Sequence, residues 1–228
     1  MKLPIILFLF IFCAFGLKGQ TTGMPADVEI TTFIGKPDRQ LVFYLSGDGG
    51  MNSFSRTLCK ELSLKGYPVV ALDSRKYFWK QKSAKIFADD LEKVIPYYLK
   101  KYGKKEFSII GYSFGADAGI LLAPRFTSTL QDKIKSLVFL SPSKSTDLEI
   151  KVSDMLGFNN QPGKYKILPE LYKSPAHVLC IFGKEEESDL YTSIERRKDI
   201  EKILLPGSHK YGSDMTILLR SVEKGLYF

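Results

Sequence analysis

From residue 41 onward, short apolar runs of strand length alternate with segments of helical periodicity. Leu41 to Leu45, Pro68 to Leu72, Phe107 to Ile110, Ile134 to Leu140, His177 to Phe182 and Ile200 to Leu205 are the strand-like runs; most carry few charges, as strands buried on both faces do. Between them, Phe54 to Leu64 has a helical pattern that stops at Gly66, a residue that commonly ends helices. From Ser83 to Tyr102 the apolar positions Ile86, Phe87, Leu91, Val94, Ile95, Tyr98, Leu99 and Tyr102 recur at helical spacing. Pro96 is expected to bend this helix or mark its end. Asp214 to Tyr227 reads as a closing helix, and Asp147 to Tyr172 as the place where a small cap or edge hairpin is inserted. The alternation predicts an α/β domain, with a mostly parallel central sheet, helices on both faces and a small or absent cap.

The first residues follow a different pattern. Lys2 precedes an uninterrupted apolar stretch, Leu3 to Leu17, and Lys18, Gly19 and Gln20 close it. This is the form of a secretory signal peptide, too short for a membrane span of about 20 residues. Cleavage after Gly19 is expected, with residues 20–228 forming one soluble exported domain, which the resemblance described below places in the periplasm. Lipid attachment at Cys13 is disfavoured by the bulky Phe12. Loss of Lys2 and Lys18 lowers the formal charge from +8 to +6, and the remaining lysines are scattered, so nucleic acid is not an expected partner. Peripheral contact with an anionic membrane is compatible with that charge. Cys59 and Cys180 fall in elements that do not bring them together and read as buried thiols.

The chemistry centres on Gly111-Tyr112-Ser113-Phe114-Gly115, directly after a strand-like run and before the apolar stretch Ala116 to Leu122. A serine between two glycines at a strand-to-helix turn has the form of a nucleophile elbow. Its hydroxyl needs a base, and of the two histidines His209 lies in a loop after the last strand, whereas His177 begins a strand. The acid is sought after Ile181-Phe182-Gly183, where Lys184 to Asp189 holds four carboxylates. Glu186 is the first choice, Asp189 the second and Glu187 the third, giving the chain order serine, acid, histidine. Oxyanion donors are expected from the Phe114 N–H and from the glycine-rich loop after the first central strand, at Gly47 and Asp48. That loop lacks the Gly-Lys-Ser/Thr of a nucleotide site. Neither a metal nor a cofactor is called for by this chemistry.

Three motifs together, Leu45-Ser-Gly-Asp-Gly-Gly50, Asp73-Ser-Arg-Lys-Tyr-Phe-Trp79 and Gly111-Tyr-Ser-Phe-Gly-Ala-Asp117, resemble those of the VirJ/AcvB proteins of the bacterial periplasm. Cys180-Ile-Phe-Gly183 and Gly207 with His209 are similar to the family's closing motifs. The chain departs from the pattern at Met51, where the family tends to carry an aromatic residue. The resemblance implies an α/β-hydrolase fold, an association with virulence and type IV secretion, hence an exported-protein or secretion-system partner, and, for AcvB-like members, hydrolysis of the lysyl ester of lysyl-phosphatidylglycerol. A lysyl headgroup is cationic, so Asp48 and Asp117 are candidate substrate-binding residues. Tyr77, Phe78 and Trp79 are candidate walls of a lipid pocket. A generic esterase or thioesterase and a non-catalytic adaptor are the alternatives.

Overall fold

The computed structural model describes residues 24–36, 38–150, 162–212 and 215–228. The expected signal peptide, and residues 151–161 of the expected insertion, lie outside them. Seven strands form the central sheet: β1 (Ile30–Phe33), β2 (Leu41–Leu45), β3 (Val69–Leu72), β4 (Phe107–Tyr112), β5 (Ile134–Leu140), β8 (Val178–Gly183) and β9 (Ile200–Leu205), in the order β1-β3-β2-β4-β5-β8-β9. All neighbours are parallel except β1, which runs antiparallel on β3 at the edge. Strands β6 (Ser145–Thr146) and β7 (Tyr165–Lys166) pair separately, at the expected insertion.

Alternating side chains of the same strands build two cores. Leu41, Phe43 and Leu45 of β2 face the helices α3 (Ala84–Lys101) and α4 (Phe114–Leu122), whereas Val42 and Tyr44 face α1 (Ser53–Leu64) and the closing helix α8 (Met215–Leu226). The short helices α2 (Ser74–Tyr77), α5 (Ser128–Gln131), α6 (Ile167–Leu171) and α7 (Asp189–Ser193) sit in the connections. Cys59 and Cys180 belong to opposite cores; both are free and buried, and burial pushes both thiols up, Cys180 to about 12.

Helix α3 does not end at Pro96, one of the two outcomes expected there. The helix runs through it to Lys101, because the loss of one backbone donor is outweighed by burial of Val94, Ile95, Tyr98 and Leu99 on both sides of the proline. Ser83 caps the start, its side chain accepting the Ile86 N–H.

Asp117, expected to bind substrate, is instead a structural carboxylate on α4. It is 3% exposed, and its two oxygens accept the N–H and the hydroxyl of Ser143 at 2.8 and 2.5 Å, holding the loop after β5. Burial pushes its pKa up to about 7, against the opposing pull of the two Ser143 hydrogen bonds. An acid with a raised folded-state pKa contributes stability that is complete below its unfolded value near 3.8 and is lost as pH rises through about 7. An asparagine here keeps the Ser143 N–H bond and can donate to the Ser143 hydroxyl, which then turns to the Ser145 carbonyl it already meets at 2.9 Å. Asp117→Asn is therefore expected to flatten the decline in unfolding free energy between pH 5 and 8, with the largest gain over wild type at pH 8, measured by urea denaturation at each pH. A loss of stability at pH 8 would contradict this account of the carboxylate.

Candidate active site

The parallel strands all end at one edge of the sheet, and the site is assembled there from four connections. At the end of β4 the chain turns into α4 at Ser113, whose φ of 54° and ψ of −122° hold its side chain in a strained backbone position. The flanking glycines are required by close approach rather than by their own dihedrals. A Cβ on Gly111 would fall 2.4 Å from the Gly115 carbonyl oxygen, and one on Gly115 would fall 2.2 Å from that of Leu45. The elbow is thus pressed against the end of β2.

The loop leaving β2 lies beside the serine. The Gly50 N–H donates to the Gly47 carbonyl at 2.9 Å, with Gly50 at φ 65°, and closes a tight turn. Ser46 is fully buried, and its hydroxyl oxygen accepts the Ser74 N–H at 2.9 Å, tying this loop to the start of α2. A Cβ on Gly47 would stand 3.4 Å from the Cβ of Ser113, so the backbone of Gly47 borders the hydroxyl. Phe114 begins α4, where N–H groups have no carbonyl one turn back to bond. The two expected donor regions therefore both adjoin Ser113. Asp48 is exposed at the tip of the loop.

His209 Nε2 lies 2.8 Å from Ser113 Oγ, and His209 Nδ1 lies 3.1 Å from Glu186 Oε2. Glu186 ends a 3-10 turn, Lys184–Glu186, directly after β8. Its other oxygen, Oε1, accepts the Gly183 N–H at 2.7 Å and the Ser141 hydroxyl at 2.5 Å. Partial burial works against the ionised form, but the hydrogen bonds from His209, Ser141 and Gly183 together hold the carboxyl below its ordinary value. The loop bearing His209 and the loop bearing Glu186 meet at Gly183, where a Cβ would fall 2.2 Å from the Ser208 carbonyl oxygen. The Glu185 N–H donates to the Gly207 carbonyl at 3.0 Å across the same contact.

The other carboxylates after β8 are turned elsewhere. Asp189 pairs with Lys144, and Glu187 is an exposed residue at φ 49°. His177, at the start of β8, stacks on Phe228. Tyr77 and Phe78 do not wall a pocket: both are at most 1% exposed in the core. Tyr77 donates to Asp90 at 2.8 Å, and Phe78 packs edge-on against the Phe114 ring at 5.1 Å. Adjacent aromatic residues on a short helix and its cap turn inward with the chain, and only Trp79, 51% exposed, stays at the surface. Among the described residues no three His, Cys, Asp or Glu side chains gather as a metal site.

Three residues of the site were not anticipated. Ser141, at φ 49°, follows β5 and joins Glu186 to Tyr211, whose hydroxyl is 2.6 Å from Ser141 Oγ and 3.0 Å from the Ile181 carbonyl. Tyr211 itself has φ 60°. Tyr112, the residue before the serine, lies under the imidazole with centroids 5.4 Å apart and donates to the His209 carbonyl at 3.2 Å. The only trace of Ser141 in the sequence is a serine before Pro142 at a strand end.

Solved structures share this architecture at low identity. A proline iminopeptidase from Mycobacterium smegmatis superposes with a TM-score of 0.66 at 15% identity, over 90% of this chain and 96% of its own. Est1E from Butyrivibrio proteoclasticus gives 0.63 at 16%, over 88% and 94%. XC6422 from Xanthomonas campestris, described as an α/β serine hydrolase without a lid, gives 0.55 at 18%, over 88% of each chain. These likenesses establish the α/β-hydrolase fold. No sequence among curated proteins matches significantly. A family model described as bacterial virulence protein (VirJ) matches residues 38–226, a span that holds the serine, the glycine-rich loop, the acid and the histidine, and the chain therefore belongs to the VirJ family.

Proposed function

We propose that the protein is an exported serine hydrolase that cleaves carboxylic esters through Ser113, His209 and Glu186, with an aminoacyl ester such as lysyl-phosphatidylglycerol as its substrate. The continuous line from Ser113 Oγ to His209 Nε2 at 2.8 Å and from Nδ1 to Glu186 at 3.1 Å carries this reading. The esterases among its structural relatives support the reaction class, and the resemblance to AcvB-like proteins supports the substrate.

In this mechanism neutral His209 accepts the Ser113 proton at Nε2 as Oγ attacks the ester carbonyl. Its Nδ1–H is held by the ionised Glu186, which fixes the tautomer and stabilises the imidazolium. The negative oxygen of the tetrahedral intermediate accepts hydrogen bonds from the Phe114 N–H and from the backbone at Gly47 or Asp48. His209 then protonates the departing alcohol, and water, deprotonated by the same imidazole, releases the acyl group from Ser113. The exposed carboxylate of Asp48, at the tip of the glycine-rich loop, receives an ammonium group of the lysyl moiety.

Free lysine released from lysyl-phosphatidylglycerol vesicles, beside p-nitrophenyl acetate hydrolysis, tests the whole reading. Ser113→Ala is expected to abolish both, and Glu186→Gln to lower kcat by roughly 10³–10⁴-fold through loss of the correct tautomer. Ester cleavage without lysine release would leave the hydrolase and remove the substrate. Inactivity on both would leave a non-catalytic adaptor.

Ser141→Ala and Tyr211→Phe are expected to lower kcat by about tenfold with KM little changed, the scale of one hydrogen bond to a charged group. They should also move the acidic limb of the kcat/KM profile, because Glu186 loses its Ser141 donor in the first variant and that donor loses its Tyr211 partner in the second. A uniform loss without a change in that profile would mark both residues as structural only. Asp48→Asn is expected to reduce kcat/KM for the lysyl ester by about tenfold while affecting p-nitrophenyl acetate less; equal loss on both substrates would remove Asp48 from recognition of the ammonium group.

A further inference from the structure

Between the glycine-rich loop after β2 and helix α2 after β3 lies an open cleft of about 540 Å³ lined by Gly49, Gly50, Asn52, Arg56, Arg75 and Trp79, together with Met51, Asp73 and Lys76. Of its four charged residues two are committed. Lys76 is held by both carboxylate oxygens of Glu29 at 2.7 Å, and Asp73 caps α2 by accepting the Lys76 N–H at 3.2 Å. The Arg56 guanidinium makes no hydrogen bond or ion pair with any described residue, whereas its backbone N–H donates to the Asn52 carbonyl at 2.9 Å. Arg75 lies over the Trp79 ring at 5.9 Å, an arrangement that orients the guanidinium and leaves its N–H groups available. Asn52 accepts the Ser55 N–H through Oδ1, while its Nδ2, which faces Gly49, has no acceptor among the described residues.

From this we infer that the cleft is a phosphate subsite in which Arg56, Arg75 and the Asn52 amide bind a phosphodiester attached to the ester being cleaved. The inference rests on the serine-hydrolase reading of Ser113 and adds to it the chemistry of the alcohol side of the substrate. Guanidinium groups suit this role because their planar N–H pairs match phosphate oxygens bidentately. The lone carboxylate in the cleft, Asp73, is outnumbered by the two arginines once Lys76 is assigned to Glu29.

Position supports the same occupant. The loop after β2 borders Ser113, and α2 follows β3, the next strand outward. Neighbouring strands are about 5 Å apart, so the β3 end stands roughly 10 Å from that of β4. An ester carbonyl and a phosphate joined through glycerol are six bonds apart, roughly 7 Å when extended, the span of two residues of extended chain at about 3.5 Å each. The length of an arginine side chain covers the difference, so one substrate can span the serine and the cleft.

Dihexanoyl-phosphatidylglycerol, a phosphodiester without an aminoacyl group, is the probe, used as an inhibitor of p-nitrophenyl acetate hydrolysis below its critical micelle concentration. Dihexanoylglycerol, with the same chains and no phosphate, is its control. Arg56→Gln, Arg75→Gln and the double variant are expected to raise the inhibition constant of the phospholipid, the double variant by about tenfold or more, and to leave that of dihexanoylglycerol in place. Inorganic phosphate distinguishes the sources: inhibition that the double variant abolishes assigns the subsite to free phosphate, and no inhibition alongside potent phospholipid inhibition assigns it to a headgroup. An unchanged phospholipid constant in the double variant, or an equal rise for both lipids, overturns the inference. Calorimetric titration of the Ser113→Ala protein with the same probe needs no turnover, so it separates a failed subsite from a failed hydrolase.

Discussion

A methyl group at Gly115 would sit 2.2 Å from the carbonyl oxygen of Leu45 and 2.4 Å from that of Ser46. That contact between the first turn of α4 and the end of β2 brings the glycine-rich loop against Ser113, and the rest of the site depends on it. A wider spacing would move the Gly47 backbone away from Ser113, and the oxyanion donors proposed there act only over hydrogen-bond distance. The second close approach, Gly183 against Ser208, does the same for the acid and the base. Two glycines therefore set the distances among four connections, and the hydrogen bonds measured at the site are consequences of that backbone packing.

The sheet was legible because its central strands are buried on both faces. A run such as Leu41 to Leu45, every residue buried, has no polar position to confuse it with a helix. Strand β1 was not anticipated, and the reason is physical: Ile30 to Phe33 pairs on one side only, stays half-exposed, and has too little apolar content to stand out. Pro96 does not mark a helix end because the rule for proline concerns the backbone alone, whereas α3 is held by the side chains it buries. Ser113, His209 and Glu186 could be named because each follows a recognisable strand end. The directions of Asp117, Tyr77 and Phe78 could not be read, since a short helix can turn the same residues to the cleft or to the core. Here the core takes the aromatic pair and the Ser143 loop takes the carboxylate.

Five residues other than glycine have positive φ among those described, and four of them, Ser113, Ser141, Glu187 and Tyr211, lie in the connections that form the site. Such conformations cost on the order of 1–3 kcal/mol each and persist only where the surroundings over-determine them. At Ser113 the constraint is the packed elbow. At Ser141 and Tyr211 it is a set of hydrogen bonds that converges on Glu186: Ser141 donates to the carboxylate, and Tyr211 reaches both Ser141 and the Ile181 carbonyl. The same bonds that hold these two residues in strained conformations offset the burial of Glu186 and keep it ionised. Strain and charge are thus balanced by one network, so relaxing the backbone at Ser141 would also release the carboxylate that orients His209. The site is held for an electrostatic reason as much as a steric one, with His209 Nδ1 facing the carboxylate that the network keeps in place.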